Sequence, residues 1–382
     1  MYISRENFQQ QIQDSIKNNP VTSILGPRQC GKTTIARKIS ESFLSVMIDL
    51  EDPSDFELLS TSPKAFLEQQ KGLVVIDEAQ RMPEILPLLR VLADQDGTKQ
   101  RFLLLGSASP NLVKNTAESL AGRIGFVDLT GFKLDEVGQE NFQKLWLRGG
   151  FPRSYLAESD EQSFQWREDF IRTFLERDIN LLGFNIPPMK LRRFWVMLAN
   201  YHGQIWKGAE FARSMGVSEP TVKKYLDILS GTHLVRQIQP WHENLKKRQV
   251  KSPKIFIRDS GLLHALLLLP GDKITNQVKV GASWEGFIIE QILQKMDTRD
   301  YYFWRTHTGA ELDLLVFKNG KRYGFEIKYS DKPQVTRSMR NAMEDLKLDV
   351  LFLVYQGKHQ LELETGIKLL PVSQIIKTDL EN

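Results

Sequence analysis

The sequence has little of several things that would define its class at once. It contains one cysteine, Cys30, among 382 residues, which excludes an internal disulfide and fits a reducing compartment. Its longest apolar stretch, Leu262 to Leu269, is too short to span a bilayer, and the N-terminus MYISRENFQQQIQ has no apolar signal region. The 51 Lys and Arg against 47 Asp and Glu leave a small positive excess, so any basic surface must be local. We therefore expect a cytoplasmic protein with no membrane partner.

What is present is typical of a folded protein with several domains. Apolar residues make up 41% and charged residues 26% of the chain, which are ordinary values for a globular protein. The length is sufficient for two or three domains, and no internal repeat or low-complexity segment interrupts it.

A glycine-rich turn lies between a predicted strand and a predicted helix near the N-terminus. In VTSILGPRQCGKTTIARKIS, Gly26 is followed by four residues and then by Gly31-Lys32-Thr33, which is the GxxxxGK[ST] phosphate loop. The glycines let backbone amides turn toward phosphate oxygens, and the following helix N-terminus adds a favourable dipole. We expect Lys32 to reach the β and γ phosphates of ATP and the Thr33 hydroxyl to bind Mg²⁺. The residues expected to line this nucleotide site are Gly26, Pro27, Arg28, Gln29, Cys30, Gly31, Lys32, Thr33 and Thr34.

An acidic pair ends the next strongly apolar run, GLVVIDEAQ. The run predicts a buried parallel strand with Asp77 and Glu78 at its carboxyl end. We expect Asp77 to hold Mg²⁺ through water and Glu78 to orient or deprotonate the attacking water. Such a pair can also be a helix cap, but the phosphate loop upstream favours the catalytic interpretation.

Two further segments complete the predicted ATPase core. RFLLLGSAS predicts a third buried strand. In the P-loop fold class this strand lies between the phosphate-loop strand and the strand that ends in the acidic pair. Ser107 or Ser109 at its end is expected either to contact the γ-phosphate or to form a plain turn. In SLAGRIGFVDL, Arg123 precedes another strand and is either an arginine finger acting on a neighbouring subunit or a surface cation.

The segment GAEFARSMGVSEPTVKKYLDILSG predicts two helices around a tight turn at Gly216, followed by an apolar strand. The outward face of the second helix carries Thr221, Lys223 and Lys224, which a DNA-binding module would direct toward a groove. The alternative is a helix-turn-helix used only for packing. The next segment, WHENLKKRQVKSPK, is interpreted either as a phosphate-tracking patch or as a solvated loop, and its cations are Lys246, Lys247, Arg248, Lys251 and Lys254.

A hairpin near the C-terminus carries charge on a strand face that should be buried. In ELDLLVFKNGKRYGFEIKYS, a turn at Asn319-Gly320 places Asp313 directly opposite Glu326, with Lys328 on the same face. Two facing carboxylates repel each other unless a cation lies between them, and this cation is either a metal ion or Lys328. In the alternative interpretation Glu311 neutralises Lys328 as a surface pair.

Taken together, the motifs resemble bacterial and archaeal AAA-type ATPases with a C-terminal domain of uncharacterised function. The resemblance rests on GPRQCGKTT, VVIDEAQ, LLLGSAS, SLAGR, LRGGFPRSYL, FLERDI, IRDSGLLHAL and the final EIK. It implies an α/β multidomain protein: a P-loop parallel sheet at 1–131, a helical lid at 132–200, a winged helix-turn-helix at 201–270 and an α/β nuclease-like domain at 275–382. Within FLERDI, Arg177 and Asp178 form either a structural salt bridge or a nucleotide-sensing site.

From Ser283 onward the predicted order of helix, three strands, helix and strand resembles the PD-(D/E)XK nuclease core. This resemblance implies that Glu285, Asp313 and Glu326 bind Mg²⁺ or Mn²⁺ and that Lys328 lies beside the attacking water. The expected function is therefore an ATPase acting on or with DNA, with nuclease activity and a homo-oligomeric state left open. One alternative is a regulatory switch whose nuclease-like domain only binds, and another is a protein-assembly ATPase without a nucleic-acid partner.

Overall fold

The phosphate-loop strand lies within a parallel sheet in the N-terminal part of the chain. The structure is a computed structural model that describes residues 2–95, 100–107, 116, 118–242 and 250–381. The strands of this sheet are β1 Val21–Gly26, β2 Ser45–Asp49, β3 Leu73–Asp77, β4 Arg101–Ser107 and β5 Ile124–Asp128. Their order is β2-β3-β4-β1-β5, and all neighbours run parallel. The prediction that the third strand separates the phosphate-loop strand from the acidic strand is confirmed.

Helices cover this sheet because its strands are apolar on both faces. The helices are α1 Glu6–Asn18, α2 Lys32–Ser40, α3 Pro53–Thr61, α4 Pro63–Gln69, a 3₁₀ turn at Ala79–Arg81 and α5 Ile85–Ala93. Leu86 and Leu89 of α5 pack in one core cluster with Val74 of β3 and Phe102 of β4. The helix predicted after the phosphate loop is present, and Ile35 and Ile39 are buried on it.

The chain divides into two compact units, Met1–Gly131 with Gly231–His233, and Phe132–Ser230 with Leu234–Asn382. The second unit begins with helices, in the region 132–200 where the family resemblance implies a helical lid. Phe170, Phe174 and Trp195 are buried there, and Phe174 meets Trp195 edge-on with ring centroids 5.4 Å apart. The helices of this region are α6 Leu134–Val137, α7 Phe142–Arg148, α8 Pro152–Tyr155, α9 Asp160–Thr173, a π-helix at Phe174–Asp178, α10 Ile179–Leu181 and α11 Pro188–Asn200, with a 3₁₀ turn at Gln139–Asn141.

Two helices and a small sheet follow. The elements are β6 Gln204–Ile205, α12 Gly208–Met215, α13 Glu219–Gly231, β7 Val235–Ile238, β8 Lys254–Ile257 and α14 Ser260–Leu266. The turn between α12 and α13 uses Gly216 at φ 65°, a backbone region in which a side chain is strained. The strands pair antiparallel in the order β6-β8-β7. The two predicted helices and the strand after them are present, while the assignment as a winged helix stays an interpretation.

The C-terminal elements follow the predicted order of helix, three strands, helix and strand, and add two strands that were not predicted. They are a 3₁₀ turn at Lys273–Asn276, α15 Val280–Met296, β9 Tyr301–Arg305, β10 Glu311–Lys318, β11 Lys321–Ile327, α16 Arg337–Leu346, β12 Val350–Tyr355, β13 Leu361–Glu364, β14 Ile367–Pro371 and a 3₁₀ turn at Val372–Gln374. The sheet order is β13-β14-β12-β11-β10-β9. Leu314 lies opposite Phe325 and Lys318 opposite Lys321, so the predicted hairpin register is confirmed.

One lysine of the predicted basic patch has a different environment from the expected one. Lys254 was placed with Lys251 in a phosphate-tracking or solvated segment, but it begins the buried strand β8 and only 4% of its side chain is exposed. The apolar residues that follow it, Ile255 to Ile257, draw the strand into the core.

Among the described residues, no helix combines the length and the apolar character needed to cross a bilayer.

Candidate functional site

The phosphate loop has the backbone conformation that its glycines predict. Gly31 lies at φ 100° and Gln29 at φ 60°. A Cβ atom on Gly26 would come within 2.3 Å of the Leu129 carbonyl oxygen, so a larger residue would displace the loop. The Lys32 ammonium is buried and donates to the carbonyl oxygens of Gly26 at 3.1 Å and Pro27 at 3.0 Å. The loop therefore already surrounds the cation that is expected to bind phosphate.

The two groups predicted to hold Mg²⁺ are in contact. Thr33 Oγ1 donates to Asp77 Oδ2 at 2.6 Å, and Asp77 is almost fully buried at the end of β3. Burial raises the pKa of the Asp77 carboxyl, while the hydrogen bond from Thr33 lowers it in part. A hydroxyl and a carboxylate side by side at the foot of a phosphate loop are suitable ligands for a hydrated Mg²⁺ ion. The residues present therefore fit this metal.

Glu78 follows Asp77 in a left-handed backbone conformation, with φ 52°. Its carboxylate lies 3.9 Å from the Arg28 guanidinium and accepts a hydrogen bond from the Gln80 side chain. Arg28 also pairs with Glu51 at 2.6 Å. Burial raises the pKa of Glu78 above its ordinary value, although Lys32 and Arg28 act in the opposite direction. Glu78 is thus a carboxylate whose position is set by Arg28 and Gln80 and whose pKa is raised by burial.

A residue that sequence reasoning missed supports the phosphate loop from behind. Arg5 is buried and donates to the Cys30 carbonyl at 3.1 Å, to Thr130 at 3.0 Å and to Gly131 at 2.9 Å. An arginine that precedes an amphipathic helix gives no local signal of this role, because its three acceptors are backbone atoms distant in sequence.

The remaining predicted ATPase residues differ in how the structure places them. The backbone of Ser107 lies beside Gly26 in the β1–β4 ladder, which is the expected edge of the sheet, whereas Ser109 lies outside the described residues.

Arg123 precedes Ile124, which pairs with Val21 at the start of β1. It is therefore at the end of β1 opposite to the phosphate loop, about 17 Å along the strand. There it forms an ion pair with Asp94 at 2.5 Å, so an action on its own nucleotide is excluded and an action on a neighbouring subunit stays a prediction.

The C-terminal carboxylates gather around a cation that the sequence did not point to. Lys254 Nζ lies 2.6 Å from Glu311 Oε1, 3.2 Å from Glu285 Oε1 and 3.7 Å from Asp313 Oδ1. Burial alone would lower the pKa of Lys254, but the carboxylates of Glu285, Asp313 and Glu311 raise it above its ordinary value. Glu311 therefore pairs with Lys254, not with Lys328 as the surface-pair alternative proposed.

Glu326 and Lys328 form a separate pair beside this cluster. Lys328 Nζ donates to Glu326 Oε1 at 2.7 Å, and Glu326 Oε2 is buried without a hydrogen-bond partner among the described residues. The pKa of Glu326 is raised to about 8, mainly by burial and secondly by repulsion from the nearby Asp313 carboxylate. Asp313 Oδ2 accepts a hydrogen bond from the Ile327 backbone N–H at 2.9 Å. The predicted residues are thus brought together, but around two ammonium groups.

A divalent metal does not fit this arrangement. The Lys254 ammonium lies within 4 Å of Glu285 and Asp313, two of the three predicted ligands, and so fills the space between them. In the described part of the chain, no group of three or more His, Cys, Asp or Glu side chains is arranged to hold a metal ion. The predicted metal role of Glu285, Asp313 and Glu326 stays a prediction, with this geometry against it.

The predicted DNA-contacting face of α13 is on the surface. Lys223 and Lys224 are exposed and Thr221 is half-buried. Lys223 is held by Asp227 at 2.9 Å and by Gln237 at 3.4 Å, whereas Lys224 has no ion-pair partner among the described residues. The predicted contacts Lys246, Lys247 and Arg248 lie outside the described residues.

Arg177 is exposed and Asp178 buried in the π-helix, and no observation tests their proposed nucleotide sensing.

Comparison with known proteins agrees with the N-terminal fold. Residues 18–138 match the family model of an AAA domain, while residues 139–273 and 280–375 match two domains of unknown function. A Walker-type ATPase of Pyrococcus abyssi superposes with a TM-score of 0.51 at 17% identity, over 70% of this chain and 96% of that one. Fold and family model together define a P-loop ATPase domain of the AAA type.

Two relatives extend the similarity to nearly the whole chain. Uncharacterized proteins of Mycobacterium tuberculosis and Mycobacterium bovis are each 46% identical over 380 residues, which is 99% of this chain and 86% of each relative. The chain belongs to the same family as these two mycobacterial proteins, and its own N-terminal part matches the AAA domain.

Proposed function

We propose that the protein is an ATP-hydrolysing switch that acts on or with DNA, and that its C-terminal domain is a binding module. The observation that carries the ATPase part is the contact between Thr33 and Asp77 beneath a formed phosphate loop, with Glu78 as the next residue. The AAA-domain match over the same residues supports it.

The chain's own groups have distinct tasks in this proposal. Lys32 exchanges its two loop carbonyls for phosphate oxygens when ATP binds. Thr33 and Asp77, which are in contact, would hold Mg²⁺, and the ion would supply positive charge to the phosphates. Glu78 orients the attacking water, and its contacts with Arg28 and Gln80 fix the direction of its carboxylate. ATP binding then clamps or remodels a DNA-bound assembly, and hydrolysis resets it.

Nucleotide binding and hydrolysis are tested with Lys32→Ala. Removing a positioned cation from a phosphoryl-transfer site is expected to lower kcat about 100-fold or more and to weaken binding of a fluorescent ATP analogue. Lys38→Ala, an exposed lysine of α2, is the matched control and should behave as wild type. Equal ATPase activity in all three proteins would contradict the proposal.

DNA binding is proposed for the exposed face of α13. Since Lys224 has no ion-pair partner among the described residues and Lys223 is held by Asp227, Lys224→Ala should weaken binding more than Lys223→Ala. Each lost phosphate contact reduces the slope of log K against log salt by about 1. Fluorescence anisotropy with a labelled duplex measures both quantities, and Lys190→Ala, an exposed lysine of α11, is the control. If Lys224→Ala matches the control, the face does not contact DNA.

Metal-dependent cleavage is the second candidate for the C-terminal domain. The buried Glu326 oxygen without a partner favours it, and the Lys254 ammonium among the carboxylates disfavours it. A cleavage assay distinguishes a nuclease from a binding module. The substrates are plasmid, single-stranded and branched DNA, incubated with Mg²⁺ or Mn²⁺, with and without ATP. We expect no cleavage that depends on Asp313. Cleavage that disappears in Asp313→Ala would replace the binding module with a nuclease.

A further inference from the structure

Lys254 of the small sheet forms ion pairs with acidic residues of the C-terminal elements. Lys254 begins β8, the central strand of the small sheet, where it pairs with both Ile205 and Ile238. Its carboxylate partners lie on α15 and β10 of the C-terminal elements. Because the backbone of Lys254 is hydrogen-bonded on both sides, the position of its side chain is set by the sheet.

The buried charge of Lys254 is compensated by nearby carboxylates. Its ammonium has three carboxylate neighbours within 4 Å and lies 5.6 Å from the centre of the Phe303 ring. A buried charge is stable only when it is paired and hydrogen-bonded, and the Glu311 contact at 2.6 Å satisfies this requirement. Glu311 in turn meets Arg305 at 3.4 Å.

We propose that Lys254 is a built-in counter-ion that takes the position of a divalent cation, so that the native C-terminal cluster does not bind a metal. The Lys254 ammonium supplies positive charge to Glu285, Glu311 and Asp313, and it excludes a second cation from the same space. The inference is independent of the ATPase proposal, since it concerns a different site and holds with or without nucleotide.

Two observations separate this from an ordinary surface ion pair. The lysine side chain is 4% exposed, so water cannot screen it. Moreover, the neighbouring Glu326 is only 7% exposed, and its Oε2 atom is buried with no hydrogen-bond partner in the described part of the chain. The cluster thus retains a buried carboxylate oxygen that a cation could use once Lys254 is removed.

Mn²⁺ binding to nucleotide-free full-length protein tests the inference, measured by electron paramagnetic resonance of the free ion. Wild type should bind no Mn²⁺ through Asp313. Lys254→Ala should gain one site, with affinity raised roughly tenfold or more because a unit positive charge is removed. Asp313→Asn in the Lys254→Ala background should abolish the gain. Lys251→Ala, which removes an exposed ammonium nearby, should leave binding as in wild type.

Lys254→Met keeps the inference testable if Lys254→Ala does not fold, because it removes the ammonium and retains an unbranched side chain of similar length. The carboxylates of Glu285, Glu311 and Asp313 then lack the charge of Lys254, so Mn²⁺ affinity should again rise. A metal site without a counter-ion would show no gain from this change. Asp313-dependent Mn²⁺ binding by wild type, or no gain in either variant, would overturn the inference. ATPase activity is measured in parallel, so a failure of this inference is distinguishable from a failure of the proposed function.

Discussion

At the scale of single residues, the proposed role of Glu78 as the general base predicts a variant that binds ATP without hydrolysing it. Its carboxylate is held by Arg28 and Gln80, while Lys32 and Thr33 contact other groups. Removing a general base costs about 100-fold or more in rate without removing a phosphate contact. Glu78→Gln should therefore lower kcat by this factor and leave the Kd for ATP unchanged. Glu41→Gln, at the exposed end of α2, is the control, and a normal kcat in Glu78→Gln would exclude the role.

Arg5 acts on the same site through the backbone. Its guanidinium donates to the carbonyls of Cys30, Thr130 and Gly131, and among the described residues only the Gly131 carbonyl has a second side-chain donor, the Thr130 hydroxyl. A buried carbonyl left without a donor costs about 1–3 kcal/mol. Arg5→Met should lower the free energy of unfolding by about 2 kcal/mol or more and raise the Kd for ATP. Urea unfolding and nucleotide titration measure the two effects. Arg37→Met, on the exposed face of α2, should change neither, and a stable Arg5→Met with normal ATP affinity would show that the loop does not need this support.

At the scale of elements, the β10–β11 hairpin shows how a turn sets the register of a site. Asn319 and Gly320 have φ values of 53° and 76°, and the space around a Cβ on Gly320 is open. Gly320→Ala should therefore cost about 1 kcal/mol through backbone strain alone. Gly281→Ala in α15 also meets open space but has no positive φ, so it should be neutral or stabilising. Thermal unfolding compares them, and equal midpoints would contradict the strain argument.

The predictability of each element follows from the distances over which its residues interact. The phosphate loop, the acidic strand end and the hairpin register were predicted because strand, turn and side-chain types occur within short segments. The partner of Asp313 could not be predicted in this way. Lys254 lies far upstream of Asp313, with the helices α14 and α15 and the strand β9 between them, and their contact depends on tertiary packing. Its one local signal was its position directly before the apolar run IFI, which is typical of a strand and not of a solvated loop.

At the scale of the whole molecule, buried histidines make stability depend on pH. Burial lowers the pKa of both His202 and His264 to about 3, while the unfolded chain has the ordinary value of about 6.5. The unfolded state therefore binds more protons below about 6.5, and stability should fall as the pH is lowered from there toward 3. Urea midpoints at pH 7, 6 and 5 measure this slope.

A substitution separates the histidine contribution from the general effect of acid. His264 contacts the Leu147 carbonyl and the Ser283 hydroxyl, so His264→Gln should lower stability at pH 7 and make the decline toward pH 5 shallower. His307→Gln removes an exposed histidine and should keep the wild-type slope. If His264→Gln kept that slope as well, the buried imidazole would not be the titrating group.

The pairing of Lys254 also determines how the protein can be divided for expression. The predicted boundaries place Lys254 in the segment 201–270 and its partners Glu285, Glu311 and Asp313 in the segment 275–382. A fragment ending at residue 270 would retain a buried ammonium without any of these acids, and the complementary fragment would retain the acids without their cation. Because an unpaired buried charge is costly, each piece is expected to be less stable alone than the two segments produced as one polypeptide.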